Sequence, residues 1–151
     1  MQITAKADYA VRAMIEIASR RGEPVKGEEV AHAQGIPPAF LESILSEVRQ
    51  TGLLQSRRGP DGGYWLARPA EEITVADVVR AVDGPLALVR GDRPESVRYT
   101  DPAARLTDVW VAVRASLRAV LERVTLAAIL ANELPPDVAE MLRDPGADRR
   151  R

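Results

Sequence analysis

Four arginines crowd one glycine-rich stretch of this 151-residue chain. Arg49, Arg57, Arg58 and Arg68 flank Gly59-Pro60-Asp61-Gly62-Gly63, and with Asp61 the single acidic residue between positions 49 and 68 they leave a local charge of +3 on a chain whose formal net charge is −1. A guanidinium is a planar fork of N–H donors that matches phosphate oxygens and base edges, so arginines beside a protruding turn can pair with a nucleic-acid backbone or enter a groove. The glycine run is not a nucleotide cradle, because no Gly-Lys-Ser/Thr follows it. Catalysis lacks an inventory. There is no cysteine and only one histidine, His32. That removes a thiolate nucleophile, a disulfide and thiolate-bound zinc or iron–sulphur, and no Ser-His-Asp signature stands out. Neither an enzyme nor a bound metal or cofactor is expected, and His32 reads as an exposed residue.

The arginines need a scaffold. Pro37 and Pro38 suit a first helical turn, where the fixed φ of proline fits and its missing N–H is not needed. Leu41, Ile44, Leu45 and Val48 then recur at helical spacing as one apolar stripe, leaving Ala39, Phe40, Glu42, Ser43, Ser46 and Arg49 outside it. Gly52 ends the helix. Leu53 to Ser56 and Tyr64 to Ala67 read as two short strands joined by the arginine-flanked turn. Upstream, a short helix over Lys26–Ala33 and the Gln34-Gly35-Ile36 turn complete a helix-turn-helix pattern. The expected fold is mainly α with a small β-wing: a winged helix-turn-helix.

Residues 5–20 predict a first helix with Thr4 as N-cap and Ala7, Ala10, Val11, Met14, Ile17 and Ala18 buried, which leaves Lys6, Tyr9 and Arg12 towards its start or outer side. Thr74 and Asp77 form an acidic capping box for a helix over 75–82, with Val78, Val79 and Val82 packing inward. Leu86 to Pro102 reads as an irregular linker. Leu106, Trp110, Val113, Leu117, Val120 and Val124 then step by 4, 3, 4, 3 and 4, an apolar seam that predicts one helix over 103–124, about 33 Å long, suited to pairing with the same helix of a second chain. Thr125 caps a brief helix over 126–132, a further turn covers 138–142, and the tail ending in Arg149, Arg150 and Arg151 reads as frayed. The corresponding organisation is 1–84 DNA-binding, 85–102 linker or effector-responsive segment, 103–134 dimerisation helix and its short successor, and 135–151 tail. Charge follows it, with +1 over 1–69 and −4 over 70–147, so the acidic excess lies away from the reading head. No apolar run approaches a membrane span, and a cytoplasmic protein is the expectation.

The runs Thr4-Ala5-Lys6-Ala7-Asp8-Tyr9-Ala10-Val11-Arg12-Ala13-Met14, Gly35-Ile36-Pro37 with Phe40-Leu41-Glu42, Gly52-Leu53-Leu54, Arg58-Gly59-Pro60-Asp61-Gly62-Gly63-Tyr64, Ile73-Thr74, Val82-Asp83-Gly84-Pro85 and Val124-Thr125-Leu126 resemble the Rrf2 (Rrf-two) family of bacterial winged-helix regulators over about residues 2–132. The resemblance implies a homodimeric transcription factor, usually a repressor, bound to a pseudo-palindromic DNA operator. It places DNA contacts on Ala39, Phe40, Glu42 and Ser43, on Lys6 and Tyr9, and on the wing around Arg58 with Arg49, Arg57, Gly59 and Gly62. Cluster-sensing members carry three cysteines in the segment that here runs from Leu88 to Asp101. This chain has none, so it resembles the cluster-free branch, one example of which controls cysteine metabolism. Its signal would be a small molecule or a protein received by the linker. The competing reading is a winged-helix protein-interaction module without DNA.

Overall fold

The computed structural model describes residues 2–149, and the tail residues Arg150 and Arg151 lie outside them. Helix α1 (Ala5–Ser19) opens with the Thr4 hydroxyl accepting from the Ala7 N–H at 2.9 Å. Ala7, Ala10, Met14, Ile17 and Ala18 are buried as expected; Val11 is half-buried, and Ala13 is buried in its place. The correction follows from packing on several sides: α1 touches α2 (Gly27–Gln34), α3 (Pro38–Gln50), α4 (Val75–Asp83) and α6 (Leu126–Leu130), so its apolar arc is wider than one stripe. Four buried alanines keep that surface flat and let neighbouring helices approach closely.

Helix α2 ends at Gly35, whose φ of 62° is the left-handed conformation that costs glycine least. Ile36 turns into the core, and α3 starts on Pro38 with Leu41, Ile44, Leu45 and Val48 all buried. Two antiparallel strands follow, β1 (Leu54–Arg57) and β2 (Gly63–Leu66), in the register Leu54 to Leu66 and Arg57 to Gly63. Both stand about one residue from the expected spans. Beyond β2, Val25 pairs with Tyr64 through Tyr64 N–H to Val25 O at 2.8 Å and Val25 N–H to Tyr64 O at 3.0 Å, which adds a third short edge to the wing.

Helix α4 carries the anticipated capping box between Thr74 and Asp77, with Val78 and Val82 buried and Val79 half-buried. The segment after it is not structureless. Leu86, Pro94 and Val97 are buried, and Pro94–Ser96 makes a single 3-10 turn, because three apolar anchors can seat a chain that lacks regular periodicity.

The long helix is shorter than its seam. Helix α5 runs Leu106–Leu121, 16 residues or about 24 Å, rather than 103–124. Its end is set by the core. Beyond it the chain extends so that Val75 N–H donates to Val124 O and Leu126 N–H to Ile73 O, both at 2.9 Å, and Val124 and Leu126 are buried in the chain itself. Thr125 caps α6 by accepting from Ala128 N–H at 3.0 Å, and α7 (Pro136–Met141) closes the described chain with Val138 buried.

Glu122 clamps this junction. It accepts from Arg118 Nε at 2.9 Å and from Arg80 on α4, and the two guanidinium groups hold its carboxyl below the usual glutamate range. A depressed pKa contributes stability above the unfolded-state value near 4.5 that is lost as pH falls through the folded value. The expected result is that Glu122→Gln melts at a lower temperature than the parent at pH 7, and that the gap closes below pH 4.5 and shrinks with salt, as differential scanning calorimetry would read.

Candidate nucleic-acid interface

Helix α3 and the wing face one another across an exposed cleft. On α3, Ala39, Phe40, Glu42, Ser43 and Arg49 are exposed along the face opposite the buried stripe, as the spacing predicts. Phe40 is 44 % exposed, a large apolar side chain held at the first turn by Tyr9, whose ring meets it edge-on with centroids 5.7 Å apart and planes at 84°. The Arg12 guanidinium lies 5.4 Å from the Tyr9 ring centroid, and it bonds Asp8 Oδ2 at 3.1 Å and the Gln34 carbonyl. Arg12 therefore joins α1 to the α2–α3 turn, so Tyr9, Phe40 and the turn keep fixed relative positions. Lys6 Nζ pairs with Glu47 Oε2 at 2.7 Å, which sets the start of α1 beside α3.

Backbone fit sets the wing. A Cβ at Gly62 would lie 2.0 Å from the Arg57 carbonyl oxygen, and one at Gly63, with φ at 147°, would lie 2.6 Å from the Val25 carbonyl. Only glycine lets the returning strand approach this closely. Arg57 donates to the Asp61 carbonyl at 3.0 Å, Lys26 Nζ to the Gly59 carbonyl, Arg49 to Ser56 Oγ at 3.2 Å, and Trp65 Nε1 to Gln55 Oε1 at 3.1 Å. Arg58 is exposed at the tip and its guanidinium has no hydrogen bond or ion pair among the described residues. A cleft of about 440 Å³ lies between helix and wing, lined by Lys26, Glu42, Ser46, Arg49, Arg57 and Arg58 among others, so four cations face one carboxylate.

The structure exposes Ala39, Phe40, Glu42, Ser43 and Arg49 on α3 and Arg57, Arg58 and Gly59 at the wing, with the half-buried Lys6 and Tyr9 beside α3 at the start of α1; Gly62, also expected as a contact, is instead buried against the Arg57 backbone. Lys6 and Arg57 are already engaged with other groups. Sequence reasoning missed Lys26, Glu47 and the positioning role of Arg12. Their partners lie 22 to 41 positions away, and no local pattern signals such contacts. His32 is exposed, as expected. No three His, Cys, Asp or Glu side chains gather as a metal site among the described residues, and none of those residues forms a helix long and apolar enough to cross a membrane.

The seam residues Leu106, Trp110, Val113, Leu117 and Val120 lie half-buried along α5, and no residue of that helix is buried. Val109 and Val111 beside them are 50 % and 40 % exposed.

Known proteins share this plan. The family model described as "Rrf2: Iron-dependent Transcriptional regulator" matches residues 3–132. The chain is 50% identical over 145 residues to an HTH-type transcriptional regulator of Mycobacterium tuberculosis (strain ATCC 25618 / H37Rv), covering 95% of this chain and 90% of that protein. It is 36% identical over 142 residues to the HTH-type transcriptional regulator IscR of Sodalis glossinidius, covering 93% and 85%. Among solved structures, CymR, the global cysteine regulator of B. subtilis, superposes with a TM-score of 0.73 at 30% identity, covering 87% of this chain and 98% of that one. IscR of T. potens gives 0.70 at 31%, covering 87% and 88%.

The close approach in the wing makes a quantitative expectation. Gly52→Ala, at a φ of 80° with open space around it, should cost about 1 kcal/mol from backbone strain, whereas Gly62→Ala, whose φ is not left-handed, must push the Arg57–Arg58 backbone aside and should cost about 3 kcal/mol. Urea unfolding of the two variants measures the difference, and equal values would mean that the close approach at Gly62 does not hold the wing.

Proposed function

The chain belongs to the Rrf2 family of transcriptional regulators, and on that premise we propose that it acts as a homodimeric, cluster-free repressor reading a pseudo-palindromic operator. The observation that carries the DNA-contact assignment is the cleft between α3 and the wing, where Lys26, Arg49, Arg57 and Arg58 face the single carboxylate of Glu42 and the Arg58 guanidinium has no partner among the described residues. In this reading the first two turns of α3 enter a major groove. Glu42 accepts from a cytosine amino group, Ser43 bonds a neighbouring base, Arg58 enters the adjacent minor groove or pairs with phosphate, and Lys6 and Arg49 meet the backbone. Lys6 would exchange Glu47 for a phosphate at little cost, since a partly exposed surface pair contributes little.

The half-exposed seam of α5 supports dimerisation: five apolar side chains that the chain leaves partly in water gain by meeting a second copy. Two reading heads then address two half-sites.

The family description names iron, but the donors in this chain do not fit a cluster. The segment from Leu88 to Asp101 offers only Asp92, Glu95 and Asp101, with no thiolate or imidazole, and soft sulphur ligands are what iron–sulphur clusters select. Likeness to the B. subtilis cysteine regulator supports a role in controlling sulphur or cysteine metabolism, with a small molecule or protein as the proposed signal.

Affinity selection of the purified chain against fragmented genomic DNA tests the operator directly, and recovery of a two-fold related site is expected. Affinity for that site should fall linearly in log–log with salt, while Arg58→Ala should weaken it by about 1–3 kcal/mol with fold and dimer intact. Unchanged affinity in that variant removes the wing from the interface. Sedimentation at micromolar concentration should give twice the chain mass, and Val113→Glu, which sets a charge into the seam, should shift it towards the monomer.

A further inference from the structure

A second cationic site lies between α4 and α5. A cleft of about 340 Å³ is lined by Arg80 of α4, Arg93 of the following segment, Arg114 of α5, and Gly84, Pro85 and Leu86. Its three cations come from separate parts of the chain, and their convergence is unfavourable unless negative charge is present.

Part of that charge is internal. Arg114 Nη1 bonds both carboxylate oxygens of Glu95, at 2.7 and 2.5 Å. Arg80 bonds Glu122 through Nη2, but Glu122 also accepts from Arg118. Four guanidinium groups (Arg80, Arg93, Arg114 and Arg118) thus share two carboxylates, a surplus of two positive charges. Arg93 has no side-chain hydrogen bond or ion pair among the described residues, although it lies near enough to Glu95 to help lower its pKa, after the larger effect of the Arg114 hydrogen bonds. Arg114 and Arg80 engage their glutamates through one nitrogen each, so the rest of each fork remains able to donate.

We infer that this cleft binds a small dianionic molecule, held by Arg93, Arg114 and Arg80, with its carbon body against Pro85 and Leu86. Glu95 already shows that the site accepts a carboxylate and acts as the internal competitor. The volume lies at the low end of ordinary ligand sites, ~300–1,000 Å³, which fits a short dicarboxylate or a small phosphate ester. Occupancy would tie α4, which packs on the core of the reading head, to α5, which carries the proposed dimer seam. This regulatory consequence rests on the reading above, whereas the binding itself does not.

Isothermal titration of the full chain with succinate and, separately, with inorganic phosphate tests the site. One ligand per chain is expected for at least one probe, and the probe that saturates distinguishes a carboxylate from a phosphate ligand. Arg93→Ala, at an exposed position that leaves the fold intact, should weaken binding about tenfold, as loss of one charge-assisted contact does, and Glu95→Gln should strengthen it by removing the competitor. Opposite signs from these two substitutions are not expected of a merely structural network. Failure of both probes to saturate by about 10 mM, a binding free energy of only ~3 kcal/mol, or parent-like binding in both variants, overturns the proposal. The titration contains no DNA, so its failure leaves the operator reading standing, and failure of the operator selection leaves the titration readable.

Discussion

Burial of α1 on several sides is the constraint on which the rest of this structure depends. A helix whose inward residues are Ala7, Ala10, Ala13, Met14, Ile17 and Ala18 offers little volume and much close contact, so α2, α3, α4 and α6 all approach it. Interiors pack at near-crystalline density, and a shared partner in a dense core allows its neighbours little freedom relative to one another. The exposed faces of α3 and of the wing are therefore rigidly related although no single element spans both. The Tyr9–Phe40 contact and the Arg12 bridge to Gln34 extend that rigidity from the core to the surface.

The wing shows how a weak element is made definite. Two strands of four residues would be marginal alone. Here Val25 adds an edge, Lys26 bonds the turn, and Gly62 and Gly63 admit a backbone approach that any side chain would block. The same residues that shape the turn deny Arg57 full freedom and leave Arg58 projecting. A rigid hairpin with one projecting arginine suits groove recognition, because little conformational freedom then remains to be lost on binding.

Helix α5 carries the opposite balance. None of its residues is buried, yet it is anchored along its length: through Tyr99 by way of Trp110, through Glu95 by way of Arg114 at its middle, and through Glu122 and the Val124 strand-like pairing at its finish. It stands out from the core while remaining connected to it. That geometry suits the proposed dimer seam and makes the charge-rich junction between α4 and α5 the place where an occupant of the arginine cleft would act on both.

Much was legible from the sequence alone, for local reasons. The stripe Leu41, Ile44, Leu45 and Val48, the Thr74–Asp77 capping box, Gly35 and Gly52 as helix ends and the glycine-rich turn all report on residues within a few positions of each other, where periodicity and backbone preference decide the outcome. The motif runs that resemble the Rrf2 family extended that reading to a transcriptional regulator. Tertiary structure decided what depends on distant partners. The seam ending in Val124 promised a helix to 124, but the hydrogen bonds of Ile73 and Val75 to that stretch, some fifty positions away, drew Val124 into the core and ended the helix at Leu121. The linker read as irregular because Leu86, Pro94 and Val97 have no common period, yet each is buried in the fold. Arg80, Arg93 and Arg114 look like scattered solvent charges in the chain and converge only in the fold. Hydrophobic period is a property of neighbours along the chain, whereas electrostatic and packing partners are neighbours in space, and only folding makes the second set known.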